Sequence, residues 1–195
     1  VNHEILLKII KRKIVDKRTF WLIKEIVCSN RKKQIKGIPI GNLTSQLFAN
    51  IYLNELDQLV KHELKAKHYI RYMDDFLFLD TDKKKLHQFK NRIRGFLSNR
   101  LELKFHPQKA EVFLVVKGID FLGYVINGDY KLLRKSTVKR FSRRTKKKIQ
   151  EIKLGNKTQQ ELSKSIDSFM AYASYGNSWN LRKHLIIDCC KRSPD

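Results

Sequence analysis

The sequence predicts an α+β chain, with an antiparallel sheet covered by helices on one face over residues 1–134 and helices alone over residues 135–195. Three observations carry this. Tyr69-Ile70-Arg71-Tyr72 and Phe76-Leu77-Phe78-Leu79 are short aromatic and branched runs on either side of Asp74-Asp75, the pattern of a β-hairpin that turns at the acids. Apolar residues at helical spacing stand before and after it, so helices cover the hairpin. From residue 131 to 153 there are eleven Lys or Arg and one acid, Glu151, while Val138, Phe141, Thr145, Ile149 and Ile152 keep an apolar side.

The elements follow in order. Leu6, Ile9, Ile10 and Ile14 mark a helix over Glu4 to Ile14, and a second runs from Lys17 to about Ser29, burying Phe20, Ile23 and Val27. Arg31 to Lys36 is a basic loop whose charge run, taken alone, reads as a solvated face sooner than as a binding site. Gly37 to Gln46 combines a tight Gly/Pro loop with small polar residues able to cap a helix. That helix carries Leu47, Phe48, Ile51, Tyr52, Leu56 and Val60 on its buried side.

After the acidic hairpin, Asp82 caps a helix built on Leu86, Phe89, Ile93 and Phe96. Leu101 to His106 reads as a strand, Pro107-Gln108 as a turn and Val112 to Val116 as a partner strand. Gly118 to Ile126 is a turn and a strand, ended by the hairpin signal Asn127-Gly128. Thr158-Gln159-Gln160-Glu161 is a capping box opening a helix with Leu162, Ile166, Phe169 and Ala173 inward and Gly176 as its stop. Ser178 then caps a last helix with Leu181, Leu185 and Cys189. The best domain boundary lies near residues 134–137.

Composition bounds the function. Forty-two Lys and Arg against 19 Asp and Glu give a net charge of +23, which a fold of 195 residues carries only against its own repulsion. A polyanion relieves that repulsion, and nucleic acid is the first choice. An anionic membrane surface competes, but the basic residues are spread through the chain and no apolar run reaches the ~20 residues of a spanning helix. Three cysteines with no metal-ligand spacing fit a reducing cytoplasm rather than a disulfide framework. Val1-Asn2-His3-Glu4 reads as the interior of a longer protein, so an upstream segment is expected.

Asp74-Asp75 alone is compatible with a solvated turn. Held on a rigid hairpin, however, two carboxylates supply the oxygen ligands that Mg²⁺ or Mn²⁺ takes in phosphoryl transfer. At this point the sequence resembles a reverse transcriptase, because Tyr72-Met73-Asp74-Asp75 matches that family's metal-binding hairpin. The resemblance implies a right-hand polymerase palm over residues 1–134 and a helical thumb over 135–195, with the fingers and the first palm aspartate upstream of Val1. It implies RNA-templated DNA synthesis with two Mg²⁺ ions, an RNA template, a DNA or RNA primer and deoxynucleoside triphosphates, in a bacterial-type cytoplasm.

The same resemblance assigns further residues. Gly41, Ser45 and Gln46, with Tyr72 and Met73, match the segment under the incoming nucleotide and template base. Lys109 matches a lysine that approaches the nucleotide phosphates and protonates the leaving pyrophosphate, although by spacing alone it is one exposed cation among many. Phe121-Leu122-Gly123-Tyr124 matches the primer grip, although by itself it is an ordinary meander, and Asp120 beside it reads as structural or surface. Lys139, Arg140, Arg143, Arg144 and Lys147 fall on the thumb helix that grips the duplex. Ile40-Gly41 with Ser45-Gln46 is similar to the enzymes of diversity-generating retroelements, which work with a basic accessory protein; group II intron enzymes are next. A basic nucleic-acid-binding fragment without polymerase activity is the reading of another class.

Overall fold

A computed structural model describes residues 1–29, 36–38, 43–106 and 110–190, the last five of these by backbone alone. The chain forms two compact units, Val1–Val112 and Phe113–Asp195. The change in composition near residue 134 falls inside the second unit.

In the first unit, α1 (His3–Lys11) starts where the Asn2 side chain accepts from the amides of Glu4 and Ile5, at 2.8 and 3.3 Å. Such a cap stabilises a helix by about 1 kcal/mol. Asp16 caps α2 (Lys17–Cys28) in the same way, accepting from Thr19 N at 2.7 Å, and its carboxyl is held below the ordinary aspartate range first by the Thr19 side chain and then by that amide. The long α3 (Leu43–Gln58) runs on into a π-helical turn, Leu59–Leu64, which ends at left-handed Lys65. Next come β1 (His68–Tyr72) and β2 (Asp75–Leu79), then α4 (Lys83–Leu101), capped by Asp82 as its spacing predicts.

The core of this unit gathers Leu6, Ile10, Val27, Tyr52, Leu56 and Ile93 from four helices. Tyr52 is fully buried and donates to Leu101 O at 2.6 Å, so its phenol finds a partner inside the apolar core. Of the residues predicted on the buried side of α3, Leu47 is 58% exposed instead.

Two predicted strands do not form. Leu101 is the last residue of α4, buried in the core and held by Tyr52, and Glu102 turns the chain at φ 47°. Extended backbone therefore cannot start at Leu101, and no strand forms among the described residues 102–106 or 110–114. Phe105 still reaches the sheet, its ring 6.1 Å from Phe76, so the apolar residues keep their role without the ladder.

In the second unit, a short 3₁₀ turn (Val115–Lys117) precedes three antiparallel strands, β3 (Ile119–Phe121), β4 (Tyr124–Ile126) and β5 (Lys131–Leu133). Three helices follow: α5 (Lys135–Lys153), α6 (Gln159–Ser174) and α7 (Trp179–Cys190). Phe141 of α5 and Phe169 of α6 stack at 3.8 Å between ring centroids, and the predicted Thr158/Glu161 capping box opens α6. The Ser178 hydroxyl donates back to Ala173 O at 2.5 Å while its carbonyl accepts from Arg182 N at 2.8 Å, so Ser178 ties the start of α7 to the end of α6. The chain is thus mixed helix and sheet, with its strands divided into a two-stranded and a three-stranded antiparallel sheet.

Candidate active site

Tyr72 pairs with Asp75, so Met73 and Asp74 alone form the turn between β1 and β2. Side chains alternate along each strand. Tyr69, Arg71, Phe76 and Phe78 therefore share the inner face, and Ile70, Tyr72, Asp75 and Leu77 the outer one. The inner aromatics pack on α4, with Phe78 5.9 Å from Phe89 and Tyr69 4.8 Å from Phe78. Both Asp74 and Asp75 are exposed, as is Tyr72, while Met73 is half-buried at φ 55°.

Arg71 fixes the tip. Its guanidinium takes both carboxylate oxygens of Asp57 on α3, at 2.8 Å from Nε and 2.5 Å from Nη2. Its Nη1 donates to Asn50 Oδ1 at 3.0 Å and to the Met73 carbonyl at 2.9 Å. Asp57 also accepts from the Tyr69 hydroxyl at 2.7 Å. Burial, with the neighbouring Asp57 carboxylate, pushes the Tyr69 phenol well above its ordinary range, so the proton stays in that bond. A bidentate, partly buried pair of this kind is far stronger than a surface ion pair.

The resemblance did not single out Arg71, Asp57 or Tyr69. A signal existed: strand alternation puts Arg71 on the same face as Phe76 and Phe78, and a cation in that register requires a partner.

Ser45 and Gln46 lie in the first turn of α3, and Gln46 is exposed. Gln46 precedes Asn50 by four residues and so shares its helix face, the one that meets Arg71 and the hairpin. The first unit thereby brings Gln46, Tyr72, Met73, Asp74 and Asp75 onto one Arg71-centred frame. Gly41 and Lys109 lie outside the described residues.

The second unit gathers the other predicted residues. Leu122-Gly123 is the turn between β3 and β4, with φ 51° and 86°. Tyr172 of α6 donates to Leu122 O at 3.3 Å, Tyr124 donates to Tyr172 O at 2.6 Å, and the two rings lie 4.9 Å apart. A Cβ at Gly123 would come within 2.2 Å of the Tyr172 hydroxyl, so glycine is required there by contact as well as by backbone. Asp120 is engaged with Arg134, accepting from Nε at 2.7 Å and also from Nη2, which fits a structural part for this acid. On α5, Lys139, Arg140, Arg143, Arg144 and Lys147 are all exposed, opposite buried Phe141, Thr145 and Ile149. Only Lys147 of these five pairs with an acid among the described residues, Glu151 at 3.8 Å.

Mg²⁺ keeps several waters and is bound through one or two carboxylates together with substrate phosphates. Exposed Asp74 and Asp75 fit that donor set in type and number. Among the described residues no group of three His, Cys, Asp or Glu gathers. Nor is any helix there long and apolar enough to cross a membrane.

A model of the family described as reverse transcriptase (RNA-dependent DNA polymerase) matches residues 1–126. The chain is 26% identical over 162 residues to Protein YkfC of Escherichia coli (strain K12), a match covering 64% of this chain. It spans 42% of the length of that relative.

Proposed function

The chain belongs to the reverse transcriptase family, and from that premise we propose that the protein carries out RNA-templated DNA synthesis, with residues 1–134 as part of the palm and 135–195 as the thumb. The observation that carries the reading is the pair of exposed carboxylates, Asp74 in the turn and Asp75 at the start of β2, beside a backbone clamped by Arg71 to Asp57.

In this reading Asp74 and Asp75 hold divalent ions, and Arg71 keeps the turn from shifting as substrate arrives. Mg²⁺ bound there, or Mn²⁺ in its place, would supply activation of the primer 3′-oxygen and charge neutralisation at the leaving pyrophosphate. Ser45, Gln46, Gly41, Tyr72 and Met73 seat the template base and incoming nucleotide. Phe121 to Tyr124 hold the primer end, and Lys109 gives a proton to the departing pyrophosphate. Lys139, Arg140, Arg143, Arg144 and Lys147 take the phosphates of the duplex. Ile40-Gly41 with Ser45-Gln46 favours a diversity-generating retroelement and its basic accessory protein over a group II intron. The cationic face of α5 also supports a second reading, a nucleic-acid binder without polymerase activity, because phosphate contacts need no metal.

Primer extension by the protein as encoded, on an RNA template with Mg²⁺, separates the two. Extension should be lost in the Asp74→Asn/Asp75→Asn variant while RNA binding stays within about twofold, since exposed acids contribute no phosphate contacts. Full extension by that variant would overturn the assignment.

A further inference from the structure

A second feature of the Phe113–Asp195 unit is a cleft of about 680 Å³ that opens between β5, the start of α5 and the start of α7. Its size falls within the range of ligand clefts. Its walls carry Lys135, Lys139, Trp179, Asn180 and Arg182, and no acid among the described residues. Trp179 is 71% exposed, an unusual position for the largest apolar side chain. Yet the ring is not loose: the Arg182 guanidinium sits 5.5 Å from its centroid, and the buried Nε of Arg182 has no hydrogen-bond partner among the described residues. The cation therefore steadies one side of the indole and leaves the rest of the ring open.

The cleft also favours negative charge. Lys135 and Lys139 are four residues apart on one face of α5. Arg134 provides no side-chain cap at the start of that helix. The N-terminus of α5 thus meets the cleft with amides unmatched by a side-chain cap, which adds to the attraction for anions.

A ligand for this site must be anionic and must offer a flat face. A duplex hides its base faces in the stack, whereas an unpaired strand presents them to aromatic side chains while its phosphates stay within reach of cations. We propose that this cleft binds single-stranded nucleic acid, with an unpaired base stacked on Trp179 and its phosphates on Lys135 and Lys139. The site adjoins the outer face of α5 assigned to the duplex and shares Lys139 with it, whereas Lys135 and Trp179 belong to the cleft alone. It rests on the nucleic-acid reading of the chain's charge and not on catalysis.

Trp21 and Trp179 are the two tryptophans, so a Trp21→Phe background makes Trp179 the sole reporter. Titration of that full chain with oligouridylate of about 12 nucleotides should quench the Trp179 emission, and added salt should reverse it. Trp179→Ala should weaken oligouridylate binding about tenfold and leave binding of a blunt RNA–DNA duplex within about twofold, with Trp179→Tyr recovering most of the loss. Lys135→Ala should lower the salt slope for the single strand by about one. Equal weakening of single strand and duplex, or no change in either, overturns the proposal. So does quenching by polyglutamate and not by oligouridylate, which would give the cleft to an acidic protein segment. Loss of primer extension in the Asp74→Asn/Asp75→Asn variant, with oligouridylate binding kept, shows that the two sites stand or fall separately.

Discussion

The turns at Met73-Asp74 and at Leu122-Gly123 are both two-residue connections that begin with a bulky residue in left-handed backbone, at φ 55° and 51°. That conformation costs a residue with a side chain about 1–2 kcal/mol. Each turn has its first carbonyl held by a donor, Arg71 Nη1 at 2.9 Å in one and the Tyr172 hydroxyl at 3.3 Å in the other. The donors differ in kind. Arg71 is a cation on the hairpin's own strand, anchored to α3 from the inner face, so the outer face with its acids stays open. Tyr172 is a neutral ring from another helix, and it closes directly over Gly123. A turn that presents charge is held from its inner face by an ion pair, whereas a turn that presents backbone is covered by an aromatic ring.

The comparison breaks most readily at Arg71. Arg71→Ala takes the donor away from two side chains, Asp57 and Asn50, and from the Met73 carbonyl at once, and leaves Asp57, 29% exposed, without its guanidinium. Losing one partner of a largely buried pair costs about 3 kcal/mol, and chemical denaturation of the variant should show that loss. Primer extension should fall as well, because the carbonyl of Met73 is released beside the acids. A loss below about 1 kcal/mol, the value of a single neutral hydrogen bond, would mean that Phe76 and Phe78 hold the hairpin without the clamp.

That clamp marks the limit of what the sequence shows. The two acids, the flanking strands and the helix caps at Asp16, Asp82 and Thr158 are legible because each is a local pattern with a local cause. The Arg71–Asp57 pair joins residues 14 apart in sequence on different elements, and only strand alternation hints that Arg71 faces inward. The false strand at Leu101 has the opposite origin. Its alternating Leu101-Glu102-Leu103-Lys104-Phe105 fits a half-exposed strand, but the hydrogen bond from Tyr52, 49 residues earlier, keeps Leu101 in the helix. Trp179 was legible as a residue but not as a site, since its cleft depends on where β5 and α5 place Leu132, Lys135 and Lys139.

The second turn breaks at Gly123. Gly123→Ala would put a methyl 2.2 Å from the Tyr172 hydroxyl at φ 86°, so both contact and backbone oppose it. A destabilisation of about 2 kcal/mol is expected. In a Tyr172→Phe background the hydroxyl is gone, and the same substitution should cost only about 1 kcal/mol, the backbone part. A double-mutant cycle by thermal unfolding measures the difference. Costs that simply add would show that Tyr172 does not press on the turn, and the likeness between the two clamps would be lost.

The smallest effect has the opposite sign. Two positive φ values in succession, as at Leu122 and Gly123, are the geometry of a type I′ turn, for which Asn-Gly is preferred. Leu122 is 40% exposed, so Leu122→Asn gives up little burial and relieves left-handed strain. Stability should rise by about 0.5 kcal/mol. If the Leu122 side chain serves the primer end as proposed, extension should fall as stability rises. If Leu122→Asn raised stability and left extension intact, the Leu122 side chain would have no part in holding the primer. The second turn would then act through its backbone alone, in sharper contrast to the first, whose proposed part lies in its carboxylates.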